Sequence, residues 1–270
     1  MKGTRADQRL VELGLTESRE KARSLIMEGM VLCDGARIEK PGTAVNGAQV
    51  LTVKENALPY VSRGGLKLEK AIRGYGLDIA GKVAVDVGAS TGGFTDCMLQ
   101  NGAKKVYAID VGYGQLDWRL RSDARVKVME RTNARFLVPE WFEEMPAFAS
   151  VDVSFISIRL ILPGLFHVLE KGAIAVVLVK PQFEAGRGKV GKNGVVREPE
   201  THREVLTGAA RFANAAGFSI QALDFSPITG PKGNIEFLMI LQKNTECICI
   251  DEQTLRNVVD TTVRKAHESF

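Results

Sequence analysis

The chain has 270 residues, enough for one large domain or a small domain joined to a medium one. Its 45% hydrophobic and 25% charged residues exclude a disordered or collagen-like polymer, and the longest apolar run, Ala173 to Val179, is far too short to cross a bilayer. The net charge of +4 is too small to name an anionic partner by itself, and scattered Cys33, Cys97, Cys247 and Cys249 with three histidines match neither a disulfide framework nor a metal site. The start, MKGTRADQRL, lacks the apolar stretch of a secretory signal, so a cytoplasmic protein with no membrane partner and no metal is expected.

Leu10, Leu13 and Leu15 fall in one short helical pattern. A second helix is expected from Thr16 as N-cap, with Arg19 where a capping box places Glu, an apolar face of Ala22, Leu25 and Ile26, and Gly29 to stop it. Val31–Cys33, Arg37–Ile38 and Gln49–Val53 then read as small strands joined by turns at Asp34-Gly35 and Pro41-Gly42. Residues 1–55 are thus predicted to form a small α+β domain, with residues 56–64 as a linker ending in glycines. Over residues 65–270 strands alternate with segments of helical period: Val83–Val87, Val106–Ile109, Val126–Met129, Val151–Val153, Ala173–Val179, Ile220–Phe225 and Ile235–Leu241. That alternation predicts an α/β fold, a doubly wound, Rossmann-like sheet of seven mainly parallel strands, with the last two forming an antiparallel edge. Asp251–Phe270 reads as a polar amphipathic helix.

Chemistry concentrates at the strand ends. The first strand runs directly into Gly88-Ala-Ser90-Thr91-Gly92-Gly93-Phe94, a glycine-rich turn where this architecture holds a nucleotide-like ligand. Its glycine order matches neither a dinucleotide fingerprint nor a P-loop. Asp110 ends the second strand, 22 residues beyond Gly88, where a carboxylate can accept ribose hydroxyls, and Asn133 follows the third strand, near an adenine edge. Adenosine without pyrophosphate points to S-adenosylmethionine. Lys180 follows the most apolar strand, Asp152 stands at the end of its strand, Glu236 opens the last one, and Lys67 sits on a helix ahead of the first. Each of the four also reads as an ordinary cap or surface charge unless the fold brings them together.

Ser62-Arg-Gly-Gly-Leu-Lys-Leu, Asp86-Val-Gly-Ala-Ser-Thr-Gly-Gly-Phe-Thr-Asp, Asp110-Val-Gly-Tyr-Gly-Gln-Leu, Glu130-Arg-Thr-Asn-Ala-Arg, Asp152-Val-Ser-Phe-Ile-Ser, Val179-Lys-Pro-Gln-Phe-Glu and Gly233-Asn-Ile-Glu resemble the successive motifs of the TlyA (hemolysin A-like) ribosomal RNA ribose methyltransferases. The resemblance runs from about residue 4 to about residue 243. It implies an RNA-binding domain like that of ribosomal protein S4, followed by an FtsJ-like methyltransferase domain that uses S-adenosylmethionine. It places the family's tetrad on Lys67, Asp152, Lys180 and Glu236. The implied cofactor set is Gly88, Ser90, Thr91, Gly92, Gly93, Phe94, Asp110, Asn133 and Asp152. The implied product is a 2′-O-methylated ribose, of cytidine, in 16S or 23S ribosomal RNA or both.

A ribose hydroxyl is a weak nucleophile, so the enzyme has to align it with an activated methyl and remove one proton. Lys180 is the expected base, acting as the neutral amine, a state favoured by desolvation, the Lys67 ammonium and the cofactor's positive charge. Asp152 is expected to position Lys180 and the cofactor, and Glu236 to hold Lys67 or the ribose. The resemblance also makes Arg5, Arg9, Arg19, Lys21, Arg23 and Arg63 the expected contacts to RNA phosphates, with ribosomal RNA or ribosomal subunits as partner. Without it, Arg19, Lys21 and Arg23 read as a solvated face balanced by Glu17, Glu20 and Glu28. The glycine-rich stretch 186–194 fits a mobile lid or a plain surface loop. Two other readings compete: a ribosome-assembly factor with little activity, and a haemolysin, which would need a membrane-active segment that the chain lacks.

Overall fold

The computed structural model describes residues 3–27, 29–53, 59–191, 193–244 and 249–270, without the side chains of Ser24 and Arg187. It divides into two compact units, Met1–Pro59 and Tyr60–Phe270. Residues 56–58 of the expected linker lie outside the described residues. Tyr60 and Val61 are buried in the second unit, where the Val61 amide donates to Asp96 at 2.7 Å.

The first unit holds β1 (Thr4–Arg5), α1 (Ala6–Glu12), α2 (Arg19–Met27), β2 (Val31–Cys33), β3 (Ala36–Arg37), β4 (Ala44–Val45) and β5 (Leu51–Val53). β1 pairs with β4, while β2 lies between β3 and β5. Ala6, Leu10, Ala22, Leu25, Ile26, Val31, Ile38, Val45 and Leu51 make its small core. Two expectations need correction. α1 stops at Glu12 because Gly14 takes φ +68°, which leaves Leu13 and Leu15 exposed. α2 is capped by Ser18, not Thr16: the Ser18 hydroxyl accepts from the Lys21 amide at 3.2 Å, three residues on.

The second unit begins with α3 (Gly65–Tyr75), then β6 (Val83–Val87), α4 (Gly93–Gln100), β7 (Lys105–Ile109), α5 (Trp118–Arg121), β8 (Val126–Met129) and β9 (Phe148–Val151). It continues with α6 (Leu162–Val168), β10 (Ile174–Val179), α7 (Pro181–Glu184), α8 (Pro199–Ala215), β11 (Phe218–Phe225), β12 (Phe237–Lys243) and α9 (Glu252–Ser269). Among the described residues its strands form one sheet of order β11-β12-β10-β9-β6-β7-β8. Alternate residues serve opposite faces: Val83, Val85 and Val87 pack with α6, α8 and α9, whereas Ala84, Val106 and Val176 pack with α3 and α4.

The expected antiparallel edge is present: β11 and β12 pair antiparallel and form one end of the sheet, with β11 outermost. β12 runs antiparallel to both its neighbours, β10 and β11, and is the inner strand of that pair. Its Phe237–Leu241 segment is almost wholly buried and needs cover on both faces, while the partly exposed β11 takes the edge and carries a bulge between Ile220 and Ala222. Two strand limits also shift. β9 ends at Val151, so Asp152 stands just beyond it; β12 starts at Phe237, so Glu236 stands just before it.

Candidate active site

The parallel strands β6, β9 and β10 all end at one edge of the sheet, and the antiparallel β12 begins there. Gly88, Asp152, Lys180 and Glu236 are the first residues off these four strands. Gly88 adopts φ +87°, and a Cβ there would meet the Asp152 carbonyl oxygen at 2.5 Å. This close crossing explains the glycine and seats Asp152 against the β6 turn. α3, on the neighbouring face, brings Lys67 to the same edge.

The four charged residues expected from the sequence meet here. Lys67 Nζ donates to Glu236 Oε2 at 2.7 Å and to Asp152 Oδ2 at 3.4 Å. Lys180 Nζ contacts Asp152 Oδ1 and donates to Ser154 Oγ at 3.0 Å. Burial opposes the charge on Lys67, but Asp152 and Glu236 outweigh it and hold the ammonium above its ordinary value. Burial likewise opposes the Asp152 carboxylate, and the two lysines overcome it and hold its pKa below the usual range. Two lysines and two carboxylates leave the resting cluster formally neutral.

A cavity of 360 Å³ opens beside this cluster, lined by Gly88, Ser90, Asp110, Gln115, Asn133, Asp152, Ser154 and Phe155 among others. Its size is that of a small-molecule site. Asp110 is held by the Ser90 amide on Oδ2 at 2.8 Å and the Gly112 amide on Oδ1 at 2.7 Å, so each oxygen keeps an acceptor site for a ligand hydroxyl. The Asn133 side chain caps the following turn through the Arg135 amide at 3.1 Å. Ser90 and Phe155 both hold positive φ, 49° and 65°, an uncommon backbone state for residues that are not glycine.

Other cofactor positions expected from the sequence, Thr91, Gly92, Gly93 and Phe94, are not among the residues lining this cavity. A Cβ on Gly92 would meet Leu120 at 2.2 Å, and one on Gly93 would meet Ser62 Oγ at 2.4 Å, so both glycines admit neighbouring protein. Phe94 is core.

Sequence reasoning missed two residues of this site and one buried acid of the adjoining strand β6. Ser154 accepts from Lys180; Phe155 stands 91% exposed at the cavity, 5.2 Å from the Phe183 ring. Both lie in the quoted run after Asp152, where a polar and an aromatic residue follow a strand end. Asp86, fully buried in β6, accepts from Thr95 Oγ1 at 2.7 Å and Ser150 Oγ at 2.9 Å. Burial pushes its pKa up to about 6, against those two hydroxyls. An acidic residue inside an apolar strand was the available signal.

Of the expected RNA contacts, Arg5, Arg9, Arg19, Lys21 and Arg23 belong to the first unit and Arg63 to the second. Arg9 pairs with Glu12 at 3.2 Å. Arg19 and Arg23 both reach Asp7 of α1.

Fold and site together define a methyltransferase of the doubly wound α/β class. The model of the FtsJ-like methyltransferase family matches residues 60–243, and that of the S4 domain matches residues 4–51. YqxC of Bacillus subtilis, named as a candidate rRNA methyltransferase, is 56% identical over 241 residues, 89% of this chain and 86% of that protein. The 16S/23S rRNA (cytidine-2′-O)-methyltransferase TlyA of Mycobacterium tuberculosis is 44% identical over 243 residues, covering 90% of this chain and 91% of its own. A solved structure from Streptococcus thermophilus, labelled a candidate hemolysin, superposes with TM-score 0.79 at 49% identity, over 100% of this chain and 98% of that one. The chain belongs to the FtsJ-like methyltransferase family and carries an S4 domain ahead of the methyltransferase domain. No helix among the described residues is long and apolar enough to cross a membrane.

Proposed function

We propose that this enzyme transfers a methyl group from S-adenosylmethionine to a ribose 2′-hydroxyl, of cytidine, in 16S or 23S ribosomal RNA or both. The observation that carries this reading is the Lys67–Asp152–Lys180–Glu236 cluster beside a cavity of 360 Å³ lined by Asp110. The 44% identity to TlyA over nine-tenths of the chain supports the choice of substrate.

The donor set fits the cofactor: the two Asp110 oxygens, fixed by backbone amides, suit the paired hydroxyls of a ribose, and Gly88 and Ser90 line the approach. Bound S-adenosylmethionine supplies an electrophilic methyl on a positively charged sulfur. Asp152 offers that charge a carboxylate at the cavity wall and anchors both lysines. Lys180 takes the proton of the 2′-hydroxyl. As the amine it has two N–H groups, matched by Asp152 and Ser154, and a lone pair left for the incoming hydroxyl. Lys67, locked by Glu236, keeps its ammonium for the ribose oxygen. Exposed Phe155 offers a stacking face to the target base.

Lys180→Ala is expected to abolish methyl transfer to ribosomal RNA while leaving S-adenosylmethionine binding by calorimetry nearly intact. Mapping 2′-O-methyl groups on ribosomal RNA with and without the enzyme identifies the nucleotide; full activity in Lys180→Ala refutes the assignment.

A further inference from the structure

The first unit contains a charge cluster with more cationic partners than its one carboxylate needs for neutrality. Asp7, on α1, is completely buried, and its carboxylate receives five hydrogen bonds. Oδ1 accepts from Arg5 Nε and the Gln8 amide, both at 3.0 Å; Oδ2 accepts from an Arg5 terminal nitrogen at 3.1 Å, an Arg19 terminal nitrogen at 3.2 Å and Arg23 Nε at 3.1 Å. The fork of Arg5 alone would neutralise and satisfy such a carboxylate. Here two further guanidiniums come across from α2, on the one face that i, i+4 spacing gives Arg19 and Arg23. Each of the three arginine side chains stays about half exposed, at 49–50%. The cluster thus carries two uncompensated positive charges, and most of its N–H groups are unspent. Arg5 and the α2 arginines, all pinned at one oxygen or its partner, converge on one spot. A ligand cannot reach the saturated carboxylate; it meets only the cationic rim.

We infer that Asp7 is a positioning residue that arrays Arg5, Arg19 and Arg23 into a single site for a phosphate of the RNA backbone. The inference rests on the RNA-modifying function proposed above. Asp7 sacrifices one unit of charge and in return fixes three long side chains that would otherwise lose their freedom only on binding, so the phosphate finds a preformed fork. Planarity matters for this role: guanidiniums hold the carboxylate with one edge and present another to the ligand, which an ammonium cannot do.

The array and a simple positive surface predict opposite signs for one substitution. Asp7→Asn adds positive charge to the unit, so unstructured attraction would tighten binding to ribosomal subunits, whereas loss of the array weakens it. The test uses the full-length chain and purified ribosomal subunits from cells lacking the enzyme, with affinity followed against salt. The double variant Arg19→Lys, Arg23→Lys keeps the charge and alters half-exposed groups, so it decides the matter if Asp7→Asn does not fold. Expected is an affinity loss of about tenfold or more in the double variant, with the salt slope and the melting temperature held near wild type, because charge is conserved and the fork is not. Wild-type binding matched by both folded variants overturns the array and leaves the RNA-modifying function standing. Failure of the wild-type chain to bind any subunit overturns both.

Discussion

Asp152 touches both lysines of the cluster, and its removal tests whether the site is an electrostatic unit. In Asp152→Asn, Lys180 loses its carboxylate and Lys67 keeps only Glu236, while both lysine side chains stay 9% exposed. Breaking a buried pair by deleting one partner costs about 3–5 kcal/mol. A ceiling exists, because the cluster can shed one ammonium proton. An ordinary lysine releases its proton near 10.4, so neutralising one at pH 7 costs about 4.6 kcal/mol, at about 1.36 kcal/mol per pH unit. The variant is therefore expected to lose about 3–4.5 kcal/mol at pH 7, within both limits. Where that lysine is neutral in the folded variant and charged in the unfolded chain, the unfolded state binds more protons, and stability rises with pH. The deficit should then shrink by up to about 1.4 kcal/mol per unit between pH 7 and 9. Urea unfolding followed by tryptophan fluorescence reads this, since Trp118 and Trp141 both lie in the second unit. A deficit below about 1 kcal/mol at pH 7, or one independent of pH, would show that the lysines do not depend on Asp152.

Asp86 carries the opposite pH signature. Its folded pKa, pushed up to about 6, exceeds the unfolded value near 3.9, so its stabilising contribution is present below about pH 4 and lost as pH rises through 6, some ~3 kcal/mol in all. Asp86→Asn is expected to flatten the stability curve between pH 4 and 6.5 and to be no less stable than wild type at pH 7, as denaturant titration across that range would show. Gly88→Ala places a Cβ against the backbone of Asp152 and forces a left-handed φ on alanine, so a loss of at least about 2 kcal/mol is expected together with reduced methyl transfer. Melting curves and single-turnover rates measure the two, and wild-type values for both would contradict the packing role of this glycine.

The doubly wound sheet was readable because β6, β7 and β10 are apolar runs with buried faces on both sides, separated by helical periods. Asp152, Lys180 and Glu236 were readable as charges at strand ends, a position fixed locally by where each apolar run stops, and Lys67 as a charge on the helix ahead of the first strand. What periodicity could not convey was neighbourhood. β12 and β11 both read as strands, and only the competition for cover decides that Phe237–Leu241 goes inside. Gly92 and Gly93 looked like ligand-facing residues because glycine signals close approach without naming what approaches; here it is Leu120 and Ser62. The Asp7 cluster had no local signal either, since Arg19 and Arg23 lie 12 and 16 residues further on.

The antiparallel pairing of β10 with β12 matches Val179 to Phe237, so Lys180 and Glu236 emerge next to each other from strands that run in opposite directions. Six matched residue pairs, from Ile174 with Gln242 to Val179 with Phe237, act as a ruler that ends beside Lys180 and Glu236. A slip of one residue would turn Glu236 to the other face of the sheet and part it from Lys67. Insertions in the turn between β11 and β12 leave that ruler intact, whereas one added residue inside β12 would miscount it. The tolerance of this enzyme to length changes is therefore expected to differ sharply between two segments only a few residues apart.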